Sequence, residues 1–73
     1  NLQALFPIDT KGSRFVAAMK HPERTAFLQR NGSALEEVAA IPGTELPLDA
    51  RAIGDRVAIL YRKSLRIYST PLR

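Results

Sequence analysis

Residues 41–47 read IPGTELP. Two prolines and a glycine within seven positions interrupt a chain that otherwise alternates apolar and polar residues, and they stand between its two best hairpin candidates. Proline has no backbone donor and fixes φ, so Pro42-Gly43 followed by Pro47 bends the chain without leaving an unpaired N–H inside. The stretch reads as a corner within one small domain, where the chain leaves one sheet and enters another.

On the C-terminal side lies DRVAILYRKSLRIYS (55–69), the strongest element. Val57, Ile59 and Tyr61 alternate with Arg56, Ala58, Leu60 and Arg62; after a turn at Lys63-Ser64, Leu65 and Ile67 alternate with Arg66, Tyr68 and Thr70. The pattern predicts a hairpin with one apolar face and one basic, tyrosine-dotted face. On the N-terminal side, RFVAAMK (14–20) and TAFLQ (25–29) are alternating runs separated by HPER, whose Pro22 breaks a continuous strand. Phe15, Ala17 and Met19 share one face; Thr25, Phe27 and Gln29 share another. RNGS (30–33) offers Asn-Gly, the positive-φ pair of a tight hairpin, which accounts for the N-x-S pattern without invoking glycosylation. LEEVAAI (35–41) suits a helical face or an alternation, and its seven residues favour a strand. Residues 24–39 echo 56–69, each a hairpin opening on arginine. Propeller blades also repeat hairpins, but this chain supplies two at most. Since a lone hairpin is marginal in water, the two are expected to close face to face as a small antiparallel β-sandwich or half-barrel.

Size and composition bound what such a domain can do. Seventy-three residues without cysteine form one marginal domain with neither disulfide nor thiolate metal site. No run of 18 apolar residues is present. The chain opens on Asn1 and is expected to be a segment of a longer protein, any anchor lying outside it. Eleven Lys and Arg against seven Asp and Glu give a formal charge of +4, with the acids concentrated mid-chain and the C-terminal stretch basic, which raises the question of an acidic partner.

The order of these pieces resembles a known family. Ala26-Phe27-Leu28, then Asn31-Gly32, then Val38-Ala39-Ala40-Ile41-Pro42-Gly43, a crossing segment, Asp55-Arg56-Val57-Ala58-Ile59-Leu60 and a last strand follow the pattern of the periplasmic homology region of the inner-membrane C component of the type II secretion system. The resemblance covers roughly residues 14–70; Ala39 stands where the family usually has glycine, and the last turn, Arg62-Lys63-Ser64, lacks the usual glycine. Related pilus-assembly lipoproteins carry a similar small β domain. The resemblance implies an all-β domain of two facing three-stranded sheets over 14–70, residues 1–13 being an N-terminal extension or linker and 71–73 a C-terminal tail. It further implies a periplasmic domain held to the bacterial inner membrane by a helix outside this segment. Such a domain docks on the N-terminal periplasmic domain of the outer-membrane secretin, alongside other secretion-apparatus proteins, with no cofactor and no small-molecule substrate.

Two docking surfaces follow from the residues. Arg14 to Lys20 begins the sheet and carries charges at both ends, which makes Arg14, Phe15, Val16 and Ala17 an edge-strand candidate. Arg14→Glu or Val16→Asp would then impair docking and spare the thermal melt. Arg56, Arg62, Arg66 and Tyr68 form the second candidate, arginine and tyrosine being types that interfaces enrich. Catalysis is not expected: the single histidine, His21, sits in a turn beside Pro22, no nucleophile elbow is present, and four isolated glycines make no phosphate-cradling loop. The rival reading is a basic β-barrel that binds single-stranded nucleic acid, with Tyr61 and Tyr68 stacking bases beside Arg62 and Arg66.

Overall fold

The structure, a computed structural model, describes residues 1–69. The chain is all-β: β1 (Leu2–Pro7), β2 (Arg14–Met19), β3 (Arg24–Asn31) and β4 (Ala34–Pro42) form one antiparallel sheet in sequence order, and β5 (Asp49–Ile53), β6 (Arg56–Leu60) and β7 (Leu65–Ser69) form another. The corner at 43–48 joins them. Its donors are placed as the proline-rich sequence requires: Gly43 N–H bonds Glu23 O at 3.2 Å and Leu48 N–H bonds Leu60 O at 2.8 Å. Pro47 is buried.

The core between the sheets comes from one face of each. Val16 and Phe27 lie opposite each other on β2 and β3, and Ala50, Val57, Ile59 and Tyr61 come from the second sheet. Ile8, Phe6, Ala39, Ile41 and Tyr68 close its margins. Strands β2 and β3 are buried on both faces over Phe15–Ala18 and Thr25–Leu28, which is why they read as near-continuous apolar runs. Their outer face carries a second cluster, in which Phe15 and Leu28 accompany Ala17 and Ala26.

Four expectations need correction. Residues 1–13 are not an extension: β1 pairs along β2 from Leu2↔Met19 to Pro7↔Phe15, so the first sheet has four strands. Apolar residues on both faces, with Ile8 buried and Leu2 and Leu5 exposed, together with a register shift between Leu2 and Ala4, hide the period of two there. Consequently Arg14–Met19 is not an edge, because β1 occupies that side. The crossing segment contains β5, a five-residue strand with only Ala50 fully inward, too short and too polar to announce itself. Finally, β7 faces the other way from the alternation assumed. Leu60 pairs with Leu65 across a four-residue connection, which puts Arg66 opposite Ile59 and Tyr68 opposite Val57 on the inner side, and turns Leu65 and Ile67 outward. A one-residue slip in register moves every side chain of a strand to the other face.

The turns show local chemistry at work. In β3–β4, Asn31 pairs with Ala34 and the two-residue turn is Gly32-Ser33, with φ 63° at Gly32 alone. A positive φ at the first turn position is what a II′ hairpin needs, so the glycine matters and Asn31 belongs to the strand. Gly54-Asp55 repeats the device with φ 60° at Gly54. In the β1–β2 connection, the Asp9 carboxylate accepts from Ser13 N–H at 3.0 Å, from the Ser13 hydroxyl and from Arg14 N–H at 3.3 Å. These bonds, led by that of the Ser13 hydroxyl, hold the Asp9 pKa below the usual carboxylate range. A depressed folded-state value means stability that is present above the unfolded value of about 3.9 and lost as pH falls through the folded one. Asp9→Ala should therefore lower the urea midpoint at pH 7, and the gap from the parent should close as pH drops below about 3.9. A gap that stays constant from pH 7 to pH 2 would contradict this.

Candidate functional site

The eight sequence-selected residues do not form one surface. Phe15, Val16 and Ala17 are buried in the two clusters flanking β2, and only Arg14 of that group is exposed, 4.0 Å from Asp9. Arg56 projects from the outer face of the three-stranded sheet, as its pairing with Ser69 dictates. Arg62 is exposed in the β6–β7 connection. Arg66 and Tyr68 belong to the opposite, inner side of β7, where Tyr68 is half-buried against the core.

Arg66 has a structural occupation. Its guanidinium carbon lies 5.1 Å from the centroid of the Tyr61 ring, a cation–π distance. A hydrogen bond with the Tyr68 side chain holds its pKa above the ordinary value, so it stays charged. Tyr61 is buried at the start of the β6–β7 connection, with its hydroxyl 2.6 Å from Thr25 Oγ1 on β3, a bond that ties the two sheets together. Burial raises the Tyr61 pKa, against the lowering effect of the Thr25 bond. Between these groups lies a hollow of about 200 Å³ lined by Thr25, Ile41, Pro42, Glu45, Tyr61 and Arg66. Glu45 is engaged there by Lys63 N–H at 3.3 Å. The hollow lies at the seam between the sheets, which the Thr25–Tyr61 bond crosses.

The residues that sequence reasoning missed are on the outer face of the three-stranded sheet. Alternation along β5, β6 and β7 from the inward Ala50, Ile59 and Tyr68 places Ile53, Leu60, Leu65 and Ile67 outward, at 58, 44, 62 and 54% exposure. Ala58 lies between them and forms the floor of a shallow hollow of about 290 Å³, which Asp49 and Arg51 flank. The signal was present in the sequence as two leucines, Leu60 and Leu65, separated by the four residues of a turn. Grouping Leu65 and Ile67 with Val57 and Ile59 on one apolar face requires a connection of odd length, and the four-residue one turns them outward.

The outer face of the four-stranded sheet differs at its centre, its exposed leucines Leu2, Leu5 and Leu35 lying on the end strands β1 and β4. Its small central alanines are covered by Phe15, Leu28 and Met19. Arg24 borders that face, donating to Glu37 through Nε at 2.9 Å and Nη2 at 2.8 Å and to Pro22 O through Nη1 at 2.8 Å. The guanidinium holds the Glu37 pKa below its usual range. β4 ends the sheet but is interrupted: Phe27 pairs with Ala39 and Leu28 with Glu37, leaving Val38 as a bulge, a device that blunts an edge.

His21 is exposed in the β2–β3 turn, and among the described residues no three His, Cys, Asp or Glu side chains gather as a metal site would need. Of the five Phe and Tyr side chains, Phe15, Phe27 and Tyr61 are buried and Phe6 and Tyr68 half-buried. No helix among the described residues is long and apolar enough to cross a membrane. Comparison with protein-family models, with curated proteins and with solved structures returned no match.

Proposed function

We propose that this chain is a periplasmic docking domain of the type II secretion apparatus. It engages the N-terminal periplasmic domain of the outer-membrane secretin and so couples the inner- and outer-membrane parts. On this reading it is anchored to the inner membrane by a segment outside the chain, meets other secretion-apparatus proteins, and carries out no catalysis. One observation carries the proposal: the three-stranded sheet presents four large aliphatic side chains to solvent on a face that a free-standing sandwich would make polar. The family resemblance gives that face its partner. The motif pieces sit where a sandwich needs them, since Val38–Gly43 ends β4 and enters the corner while Asp55–Leu60 completes the Gly54-Asp55 turn and β6.

Titration of the ¹⁵N-labelled chain with a purified secretin N-terminal periplasmic domain tests it. A transient contact with a Kd on the order of 10 µM, about −7 kcal/mol, should give progressive, saturable shifts confined to one contiguous surface. No perturbed residue at millimolar partner would end the proposal. Retention on single-stranded oligonucleotide with a steep salt dependence would favour the nucleic-acid reading in its place.

A further inference from the structure

We infer that the outer face of β5–β7 seats a protein surface with an apolar ridge at its centre and carboxylates along its border. This deepens the docking proposal above and rests on it. Ile53, Leu60, Leu65 and Ile67 together expose on the order of 400 Å² of apolar surface, within the range of about 300–600 Å² that marks the largest, often functional, patch of a monomer. The outer face of the other sheet is closed at its centre, where Phe15 and Leu28 shade Ala17 and Ala26, and its exposed leucines, Leu2, Leu5 and Leu35, stand apart on the two end strands. The β5–β7 face has the opposite construction, with large side chains standing around the low floor of Ala58. That shape accepts a ridge.

Charge selects the occupant. Arg51 and Arg56 project from the same face, and Arg62 and Lys63 stand in the connection at its end. The acids nearby are Asp55 in the turn and Asp49, which is engaged by Ala50 N–H at 2.9 Å and lies 3.6 Å from Arg51 Nε. The border is thus basic on balance, and the complement is an acidic one. A second copy of the chain fits less well, because it would bring like charges together over an apolar centre about half the roughly 800 Å² per partner of a stable complex. An anionic bilayer also attracts arginine and aliphatic groups, but it is entered by a protruding apolar face, and here the centre is a hollow with the Asp49 carboxylate at its lip.

The experiment uses the purified secretin N-terminal periplasmic domain as probe, the whole chain, and two double variants. Leu65→Glu with Ile67→Glu should weaken binding at least about tenfold, as loss of a buried apolar anchor does. Arg51→Glu with Arg56→Glu should weaken it about threefold to tenfold and flatten its dependence on salt. All four positions are exposed, so the thermal melts should stay within a few degrees of the parent, and amide spectra verify the fold. Binding by the parent with shifts on another surface, unchanged in both variants, overturns this inference and leaves the docking proposal standing; no binding by the parent removes both. Concentration-dependent self-association in sedimentation that Leu65→Glu with Ile67→Glu abolishes would make a second copy the occupant. Sedimentation with phosphatidylglycerol vesicles that the same variant abolishes would make it a membrane. Either result overturns the assignment.

Discussion

Val16→Asp should leave no folded domain at 25 °C. Val16 has no solvent exposure, lies between Phe6 on β1 and Phe27 on β3, and faces the core shared by both sheets. An isolated carboxylate there costs several kcal/mol even after relaxation, or must protonate at neutral pH. A domain of this length has on the order of 5 kcal/mol of total stability, so the substitution consumes most or all of it. Arg14→Glu is the control. It lies two residues away on the same strand, is exposed, and should change stability by about 0.5 kcal/mol or less even though it places an anion beside Asp9. Circular-dichroism melts of the two variants decide the matter. A Val16→Asp protein that melts within a few degrees of the parent would mean that β2 is an accessible strand after all.

The second large effect is expected at the bond between sheets. Tyr61→Phe leaves the Thr25 hydroxyl buried without its partner, and Thr25→Val does the same to the Tyr61 hydroxyl; each should cost about 1–3 kcal/mol. Removing both hydroxyls removes the unsatisfied group too, so the double variant should be less destabilised than the two single losses added together. For a domain of this size each kcal/mol corresponds to about 4–8 °C in Tm. A double-mutant cycle by urea unfolding measures the coupling, and strict additivity would show that the two hydroxyls do not interact. The titration has a definite sign. Because the folded-state pKa of Tyr61 is raised, its contribution is present below the unfolded value of about 10 and fades as pH rises through the folded one. Tyr61→Phe should lack that alkaline component.

What could be read from residues alone, and what could not, follows from the strength of local signals. The all-β character was legible because alternation and turn residues recur along the chain, and the corner at Pro42-Gly43 and Pro47 was legible because proline restricts its own backbone wherever it stands. Strand β4 was decided correctly by length. β1 was lost because Leu2, Leu5, Phe6 and Ile8 put apolar groups on both sides, and nothing in residues 1–7 says that β2 needs a neighbour. The candidate surface suffered from the same limitation. Phe15–Ala17 looked presentable because edge position is a property of the whole sheet. The face of β7 depended on whether the connection after Leu60 holds an odd or an even number of residues, which Arg62-Lys63-Ser64, having no glycine, does not announce; the four present keep Leu65 on the side of Leu60. Charge was legible as a sum and illegible as a pattern: of the arginines expected side by side, Arg66, though exposed, lies over Tyr61 on the opposite side of the sheet from Arg56.

Both sheets are meanders in which every hydrogen-bonded strand neighbours the next one in sequence. Loop closure therefore costs little entropy for any single pairing, and each hairpin can nucleate on a microsecond scale of about 1–10 µs without waiting for distant chain. The clasp of one meander on the other, through contacts such as Thr25 with Tyr61, joins residues thirty-six positions apart. Pairing each strand with its sequence neighbour is the feature that goes with faster folding among β topologies.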